Sequence, residues 1–332
     1  MMNVAVLGAG AWGTALAKVL ADKQNPTIIW SHRREVADTI NEEHVNARYL
    51  PSALLPPTLR ATHDLEEALR KADLVLVVIP SHGLRAVMRD ARRFVPDSAF
   101  ICSASKGIEN ETLMLMSDVL LEELGHAVQP RLTYLSGPSF AKEVAARMPT
   151  TVVIAGTSER ETEAVQRAFA TDMFRTYTSH DVTGVELGGA LKNVIAIAAG
   201  VGDGLGFGHN TRAGLITRGL AEIGRLATHR GANPLTLAGL AGMGDLVLTC
   251  TGELSRNRTV GLELGKGRKL PEILATLGHV AEGVKTTKSV FDISNKYGVD
   301  MPITAEVYRI LYEGKPPQQA VIDLMTRALS KE

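Results

Sequence analysis

The chain has 332 residues, 45% apolar and 22% charged, which is enough material for one large buried core or two ordinary ones. Lysine plus arginine equals aspartate plus glutamate at 36 each, which excludes a nucleic-acid or membrane-surface protein held by bulk charge. Two distant cysteines, Cys102 and Cys250, in no CxxC pattern argue against a disulfide framework or a zinc site, and fit a reducing, cytoplasmic setting.

The N-terminus begins directly with a strand pattern, "NVAVLG", without a basic leader. Further strands are expected at "PTIIWS", "LVLVVIP", "AFICSAS", "LTYLSGP" and "TTVVIAG". Helical patterns lie between several of them: "WGTALAKVLADK", "LEEALRKA", "HGLRAVMRDARRFV" and "ETLMLMSDVLLEELG". Continuous apolar strands alternating with helices predict an α/β domain, a doubly wound, largely parallel sheet covered on both faces.

After about residue 185 the pattern changes. "ALKNVIAIAAG", "AGLITRGLAEIGRLATHRG", "RTVGLELGKG" and "ITAEVYRILYEG" read as helices, and no convincing strand follows. The expected division is therefore a Rossmann-like domain over 1–185 and an all-α domain over 186–332. "GVGDGLGFGHN" reads as a loop between two helices. No apolar run approaches the roughly 20 residues that span a bilayer, so membrane insertion is not expected.

Residues 8–13, "GAGAWG", match G-x-G-x-x-G, with a strand before and a helix after. Gly8 permits the tight turn, Gly10 lets the backbone approach a pyrophosphate, and Gly13 allows close helix–strand packing. Ala11 and Trp12 complete the turn, and the helix start offers N–H groups to the phosphates. An acid that would bind ribose hydroxyls belongs about 20 residues on. His32, Arg33 and Arg34 stand there instead. Such cations favour a 2′-phosphate, so NADPH is expected to be accepted and leaned toward, alongside NADH. The alternative is that they open a solvated helix.

Other polar groups fall at expected strand ends and helix starts: Lys106 in "SASKGIE", and Gly137 and Ser139 in "SGPSFAKEV". Asp245 and Thr249 lie four apart in "GMGDLVLTC", on one face of a helix. Ser255, Arg256, Asn257 and Arg258 open a later helix, in a run rich in anion donors. Asp245 and Ser255 also suit helix caps, and the two arginines suit a solvated face. The nine histidines show no metal spacing, so no metal is expected. Lys192 is the oddity, since its helical neighbours Gly188, Gly189, Ile195 and Ala196 cannot pair with a cation.

The chain resembles the NAD(P)-dependent glycerol-3-phosphate dehydrogenases of the bacterial type. The resemblance rests on "GAGAWGTALA", "SKGIE", "SGPSFAKEVA", "GALKNVIAIAAG", "GMGDLVLTCTGELSRNR" and "AEGVKTTKSV", in that order over nearly the whole chain. It implies reduction of dihydroxyacetone phosphate to sn-glycerol 3-phosphate with NAD(P)H, a small-molecule function without nucleic acid. It also implies Lys192 as the catalytic lysine, with Asp245 beside it. Lys106, Gly137, Ser139, Asn193, Asp245, Thr249, Ser255, Arg256 and Asn257 match substrate-binding positions. Trp12, Lys106, Ala141, Arg256, Val280 and Glu282 match cofactor-contacting ones. On this reading Gly188 and Gly189 are small so that the substrate and helix can come close. A rival two-domain dehydrogenase for 3-hydroxy acids would also carry a helical lysine, but "SRNR" suits a phosphate better than a small carboxylate. The oligomeric state stays open in the sequence, with a homodimer as the expectation.

Overall fold

The computed structural model describes residues 1–277 and 281–329. Two compact units emerge: Met1–Lys106 with Met114–Glu186, and Gly107–Leu113 with the chain from Leu187 onward. The short segment Gly107–Leu113 belongs with the second unit, where the Ser289 hydroxyl donates to Asn110 Oδ1 at 2.7 Å.

The first unit carries β1 (Val4–Leu7), β2 (Thr27–Trp30), a small hairpin of β3 (Val45–Asn46) and β4 (Leu50–Leu54), β5 (Leu59–Thr62), β6 (Leu74–Val77), β7 (Phe100–Ser103), β8 (Leu132–Ser136), β9 (Thr150–Gly156) and β10 (Phe174–Ser179). Its helices are α1 (Ala11–Asp22), α2 (Arg34–Glu43), α3 (Leu65–Leu69), α4 (Ser81–Ala91), α5 (Met116–Leu124), α6 (Ala141–Ala145) and α7 (Glu159–Phe169). Eight strands form one sheet in the order β10-β9-β8-β7-β6-β1-β2-β5, parallel except for the antiparallel β8–β9 pair. The alternation of β1 shows how both faces are covered. Val4 and Val6 pack with Leu16 and Leu20 of α1, and Ala5 and Leu7 pack with Leu84 and Met88 of α4.

The six expected strands are β1, β2 and β6 to β9. The two sheet strands that the sequence pattern misses are β5 and β10, which are the two edges. Each has solvent on one side, so "LRAT" and "FRTYTS" carry arginines and lack the continuous apolar run.

The second unit holds most of α8 (Val182–Gly204), then α9 (His209–His229), α10 (Pro234–Leu237), α11 (Asp245–Thr251), α12 (Arg256–Gly265), α13 (Leu270–Leu277), α14 (Glu282–Tyr297), α15 (Pro302–Tyr312) and α16 (Pro317–Met325). It has no strand among the described residues. The glycine-rich stretch read as a loop is mostly helix, because α8 runs through Gly204 and α9 starts at His209. Contrary to the sequence reading, two helical stretches are long and apolar enough to cross a membrane by composition, Val182–Gly204 and Pro234–Thr251. The most apolar window of the first is 94% buried within the fold, as befits a core helix.

Two buried carboxyls brace helix starts. Glu222 of α9 accepts from the Ile303 and Thr304 N–H groups at 2.6 and 3.1 Å, and from the Thr304 hydroxyl at 3.1 Å, fixing the start of α15. Glu186 accepts from the Ser117 N–H at 3.0 Å, in the first turn of α5, and its other oxygen is buried with no hydrogen-bond partner. Burial pushes Glu186 up from 4.5 to about 7, against the pull of the Ser117 hydrogen bonds. A carboxyl with a raised folded pKa holds its proton more tightly when folded, so its contribution to stability falls as pH rises from about 4.5 through about 7. The change amounts to at most about 3 kcal/mol. Glu186→Gln keeps the acceptor for Ser117 and removes the charge. It should raise the melting temperature near about pH 8, leave it nearly unchanged near about pH 4, and flatten the decline between. Thermal unfolding with the same pH slope in both proteins would show that Glu186 does not titrate there.

Candidate active site

The glycine loop follows β1 as expected. Gly8 has φ +117°, a left-handed conformation that side chains rarely adopt. A Cβ at Gly13 would overlap the Gly8 carbonyl oxygen, so α1 can pack on the turn only with glycine there. A Cβ at Gly10 would meet nothing within 4 Å, so the backbone there faces open space. Gly10 caps α1 without a side-chain acceptor, and the first turn holds no acid. The N–H groups at Ala11, Trp12 and Gly13 therefore lack a built-in anion, which fits a pyrophosphate. The Trp12 indole N–H is also buried without a partner. These features together fit a dinucleotide.

Asn46 holds the turn in place and escaped the sequence reading. Fully buried in β3, it donates from Nδ2 to the Ala9 carbonyl at 2.9 Å and to the Thr14 hydroxyl at 2.8 Å. Its Oδ1 accepts from the Tyr49 N–H at 3.1 Å, so the amide orientation is fixed. At 37 positions from Ala9, no local pattern reveals this contact.

His32, Arg33 and Arg34 follow β2 directly, where the ribose-binding acid was sought. Arg33 caps α2 and Arg34 starts it, so the helix-opening reading also holds for them. Arg33 pairs with Glu35 at 3.4 Å, and Arg34 approaches His63 at 2.6 Å. Lys106 is half-buried just beyond β7, and Gly107 has φ +134°. Gly137 follows β8 with φ +138°, and a Cβ there would lie 2.9 Å from Val152 Cα. The Ser139 hydroxyl donates to the Gly137 carbonyl at 2.9 Å, and Ala141 opens α6. These groups gather at strand ends of the first unit.

In the second unit Lys192 is 8% exposed. Its ammonium donates to the Asp245 carboxylate and to the Thr249 hydroxyl, the latter at 2.8 Å. Thr249 in turn donates to the Asp245 carbonyl at 2.6 Å. The partners lie 53 and 57 positions along the chain and answer the sequence puzzle of the unpaired lysine. A buried ammonium without such a carboxylate would be strongly destabilising.

Two backbone devices bring them together. Leu240–Gly244 forms a π turn, with the Gly244 N–H donating to the Gly239 carbonyl five residues back at 3.1 Å, and Asp245 follows directly. A Cβ at Gly188 would lie 2.5 Å from the Ala241 carbonyl oxygen. Gly188 is thus small to let α8 approach the π turn, the close backbone approach expected of it. Cys250 feels the field of this pair and of a second ionic cluster around Asp203 and Arg258. Burial pushes its thiol up to about 12, so it stays neutral there.

Ser255 is the N-cap of α12, its hydroxyl accepting from the Arg258 N–H at 3.2 Å, so the capping alternative is realised. Arg256 is exposed at the first position of α12. Asn257 accepts from the Gly283 N–H through Oδ1 at 3.0 Å, which leaves its Nδ2 donors for another acceptor. Asn193 is buried, and a Cβ at Gly283 would lie 2.9 Å from its carbonyl oxygen. Glu282 opens α14, and Val280 lies outside the described residues. Arg258, grouped with the anion donors in the sequence, is instead paired with Asp203 at 2.7 Å. Among the described residues, no three or more His, Cys, Asp or Glu side chains are grouped to hold a metal.

Residues 3–162 match the family model for the N-terminal part of NAD-dependent glycerol-3-phosphate dehydrogenase, and residues 181–322 match the model for its C-terminal part. The chain is 54% identical over 331 residues to a glycerol-3-phosphate dehydrogenase [NAD(P)+] of Myxococcus xanthus, covering 100% of this chain and 99% of the relative. It is 52% identical over 331 residues to the corresponding protein of Leptospira biflexa, with the same coverage. Among solved structures, a glycerol-3-phosphate dehydrogenase from Coxiella burnetii is similar with a TM-score of 0.94 and 41% identity, over 98% of this chain and 99% of that one. A ketopantoate reductase of Ralstonia eutropha, at 17% identity and a TM-score of 0.62 over 96% of this chain and 100% of that one, shares the fold.

Asn46→Ala would leave the Ala9 carbonyl and Thr14 without their donor, loosening the glycine turn. Dinucleotide affinity should fall by about tenfold, the equivalent of one lost buried hydrogen bond. Titration of dinucleotide fluorescence checks this, and an unchanged affinity would mean the turn keeps its shape without Asn46.

Proposed function

Because the chain belongs to the NAD-dependent glycerol-3-phosphate dehydrogenase family, we propose that it catalyses the reversible, NAD(P)H-dependent reduction of dihydroxyacetone phosphate to sn-glycerol 3-phosphate, supplying glycerophospholipid synthesis. The observation that carries this reading is the buried Lys192 ammonium held by Asp245 and Thr249. Residues 1–185 serve as the dinucleotide-binding domain and 186–332 as the substrate-binding and catalytic domain.

Bound NAD(P)H supplies the hydride. As negative charge develops on the substrate carbonyl oxygen, Lys192 provides a positive field and then a proton from Nζ. In the reverse direction Nζ takes the proton from the alcohol. Asp245 fixes the ammonium through its carboxylate, and Thr249 restrains both partners. Arg256 and the Asn257 amide N–H groups hold the substrate phosphate beside the Ser255-capped start of α12. Anchoring the phosphate positions the carbonyl, which contributes several kcal/mol through orientation. Lys106, Gly137, Ser139 and Asn193 complete the substrate contacts. Gly8 to Gly13, His32, Arg33, Arg34, Lys106, Ala141, Arg256 and Glu282 hold the cofactor, with Val280 assigned by motif. The enzyme acts in the cytoplasm, a setting that the two free, buried cysteines support. It works as a homodimer, supported by the exposed Met243 and Val247, four apart on one helical stretch.

General acid–base catalysis contributes roughly 100- to 10,000-fold, so Lys192→Ala should lower kcat by at least about 100-fold with cofactor affinity little changed. A near-normal turnover would remove Lys192 from the mechanism. The central claim is checked by following NADPH and NADH oxidation with dihydroxyacetone phosphate and then with unphosphorylated dihydroxyacetone. The phosphorylated compound should be far the better substrate, and the cations at 32–34 predict that NADPH binds at least as tightly as NADH. No turnover of dihydroxyacetone phosphate would overturn the assignment, and tighter binding of NADH would overturn the cofactor preference alone.

A further inference from the structure

Asp203 lies about three turns beyond Lys192 on α8, on nearly the same stripe of the helix, at about 16 Å along the axis. Its side chain is only 7% exposed and pairs with two arginines. Oδ1 accepts from Arg212 Nε at 3.0 Å and Nη2 at 2.5 Å. Oδ2 accepts from Arg258 Nε at 2.8 Å, with Arg258 Nη2 at 2.7 Å. Each arginine presents a fork to one oxygen, an arrangement that fixes direction as well as distance.

Arg258 is the third residue of α12, and its own N–H is the one that Ser255 caps. Fixing its guanidinium therefore fixes the first turn of α12, which carries Arg256 and Asn257. The helices themselves meet backbone to backbone. A Cβ on Gly200 of α8 would lie 2.8 Å from the Leu262 N, and one on Gly204 would lie 2.9 Å from Gly265 Cα. From the other side, a Cβ on Gly261 of α12 would lie 2.8 Å from the Val201 N, and one on Gly265 would lie 2.5 Å from the Val201 carbonyl oxygen. The glycine seam sets how closely α12 lies on α8. The Asp203–Arg258 fork adds a directional side-chain tie between the same two helices, at the first turn of α12.

We propose that Asp203 is a positioning residue, which holds Arg258 and so places Arg256 and Asn257 at a set distance from Lys192 for a substrate bearing a phosphate. The inference rests on the reading above, in which Arg256 and Asn257 bind that phosphate. Asp203 itself touches no reacting atom. Its effect is confined to the gain in rate that the phosphate confers, and the proton transfer at Lys192 proceeds without it.

The test compares kcat/KM for dihydroxyacetone phosphate with kcat/KM for dihydroxyacetone. Asp203→Asn should lower the ratio by roughly ten- to a hundredfold, mostly through KM, as misplacing an anchor by about 1 Å can do. Inhibition by inorganic phosphate should weaken in parallel. Arg258→Lys keeps the charge but loses the fork, and should lower the ratio in the same direction. It decides the matter if Asp203→Asn does not fold. A general loss of structure would depress both substrates equally and leave the ratio unchanged, so an unchanged ratio in a folded variant overturns the proposal. Arg256→Ala runs alongside as a control on the reading itself. If it lowers the ratio while Asp203→Asn and Arg258→Lys do not, the positioning role alone fails. If Arg256→Ala leaves the ratio unchanged, the phosphate assignment fails and the positioning role falls with it.

Discussion

A lysine ammonium removed from water needs a carboxylate at hydrogen-bonding distance, and the second unit is arranged around meeting that need for Lys192. The charge cannot be met within α8, because its helical neighbours are glycines and aliphatic residues. The partner comes from Asp245, and bringing Asp245 close has backbone consequences. Gly188 must lack a side chain so that α8 can reach the Ala241 carbonyl, and the chain must widen into a π turn just before Asp245. Thr249, one helical turn on, then satisfies both partners. The cluster is not there for stability, since buried ion pairs seldom exceed the cost of their own desolvation.

Four of the inward-facing carboxyls separate into two kinds by the same reasoning. Asp245 and Asp203 pair with cations. Glu186 and Glu222 take their hydrogen bonds from N–H and hydroxyl donors, and burial raises both to about 7. The first pair orients ammonium and guanidinium groups, and the neutral Cys250 thiol feels the field of both clusters. The second pair pins helix starts, at α5 and α15. One residue type thus serves positioning or bracing according to whether a cation stands opposite.

Much of this was legible in the sequence, and the parts that were not share a cause. Sheet-centre strands announce themselves because both faces are buried, while β5 and β10, at the edges, read as mixed polar segments. Gly8, Gly10 and Gly13 were readable because the turn, its strand and its helix are contiguous. Asn46 was not, because it reaches the same turn from 37 positions away. Helix α8 was cut short in the reading because glycine usually signals a break, whereas Gly200 and Gly204 are there for contact with α12. The four-residue spacing of Asp245 and Thr249 was visible, but the π turn that aims Asp245 has no sequence period of its own.

The "SRNR" run shows most plainly where spacing must be converted into direction. Read as composition, Arg256 and Arg258 form one basic patch. On a helix, residues two apart point about 200° away from each other, so the two guanidiniums cannot serve the same ligand from the same face. The structure follows that geometry: Arg256 is exposed at the start of α12, and Arg258 turns inward to Asp203. Asn257 lies between them, its oxygen held by the Gly283 N–H and its two amide hydrogens thereby directed elsewhere. One arginine is left facing outward and the other fastens the helix that carries it. A short basic run at a helix start is therefore best divided by helical phase before any of its members is assigned to a ligand.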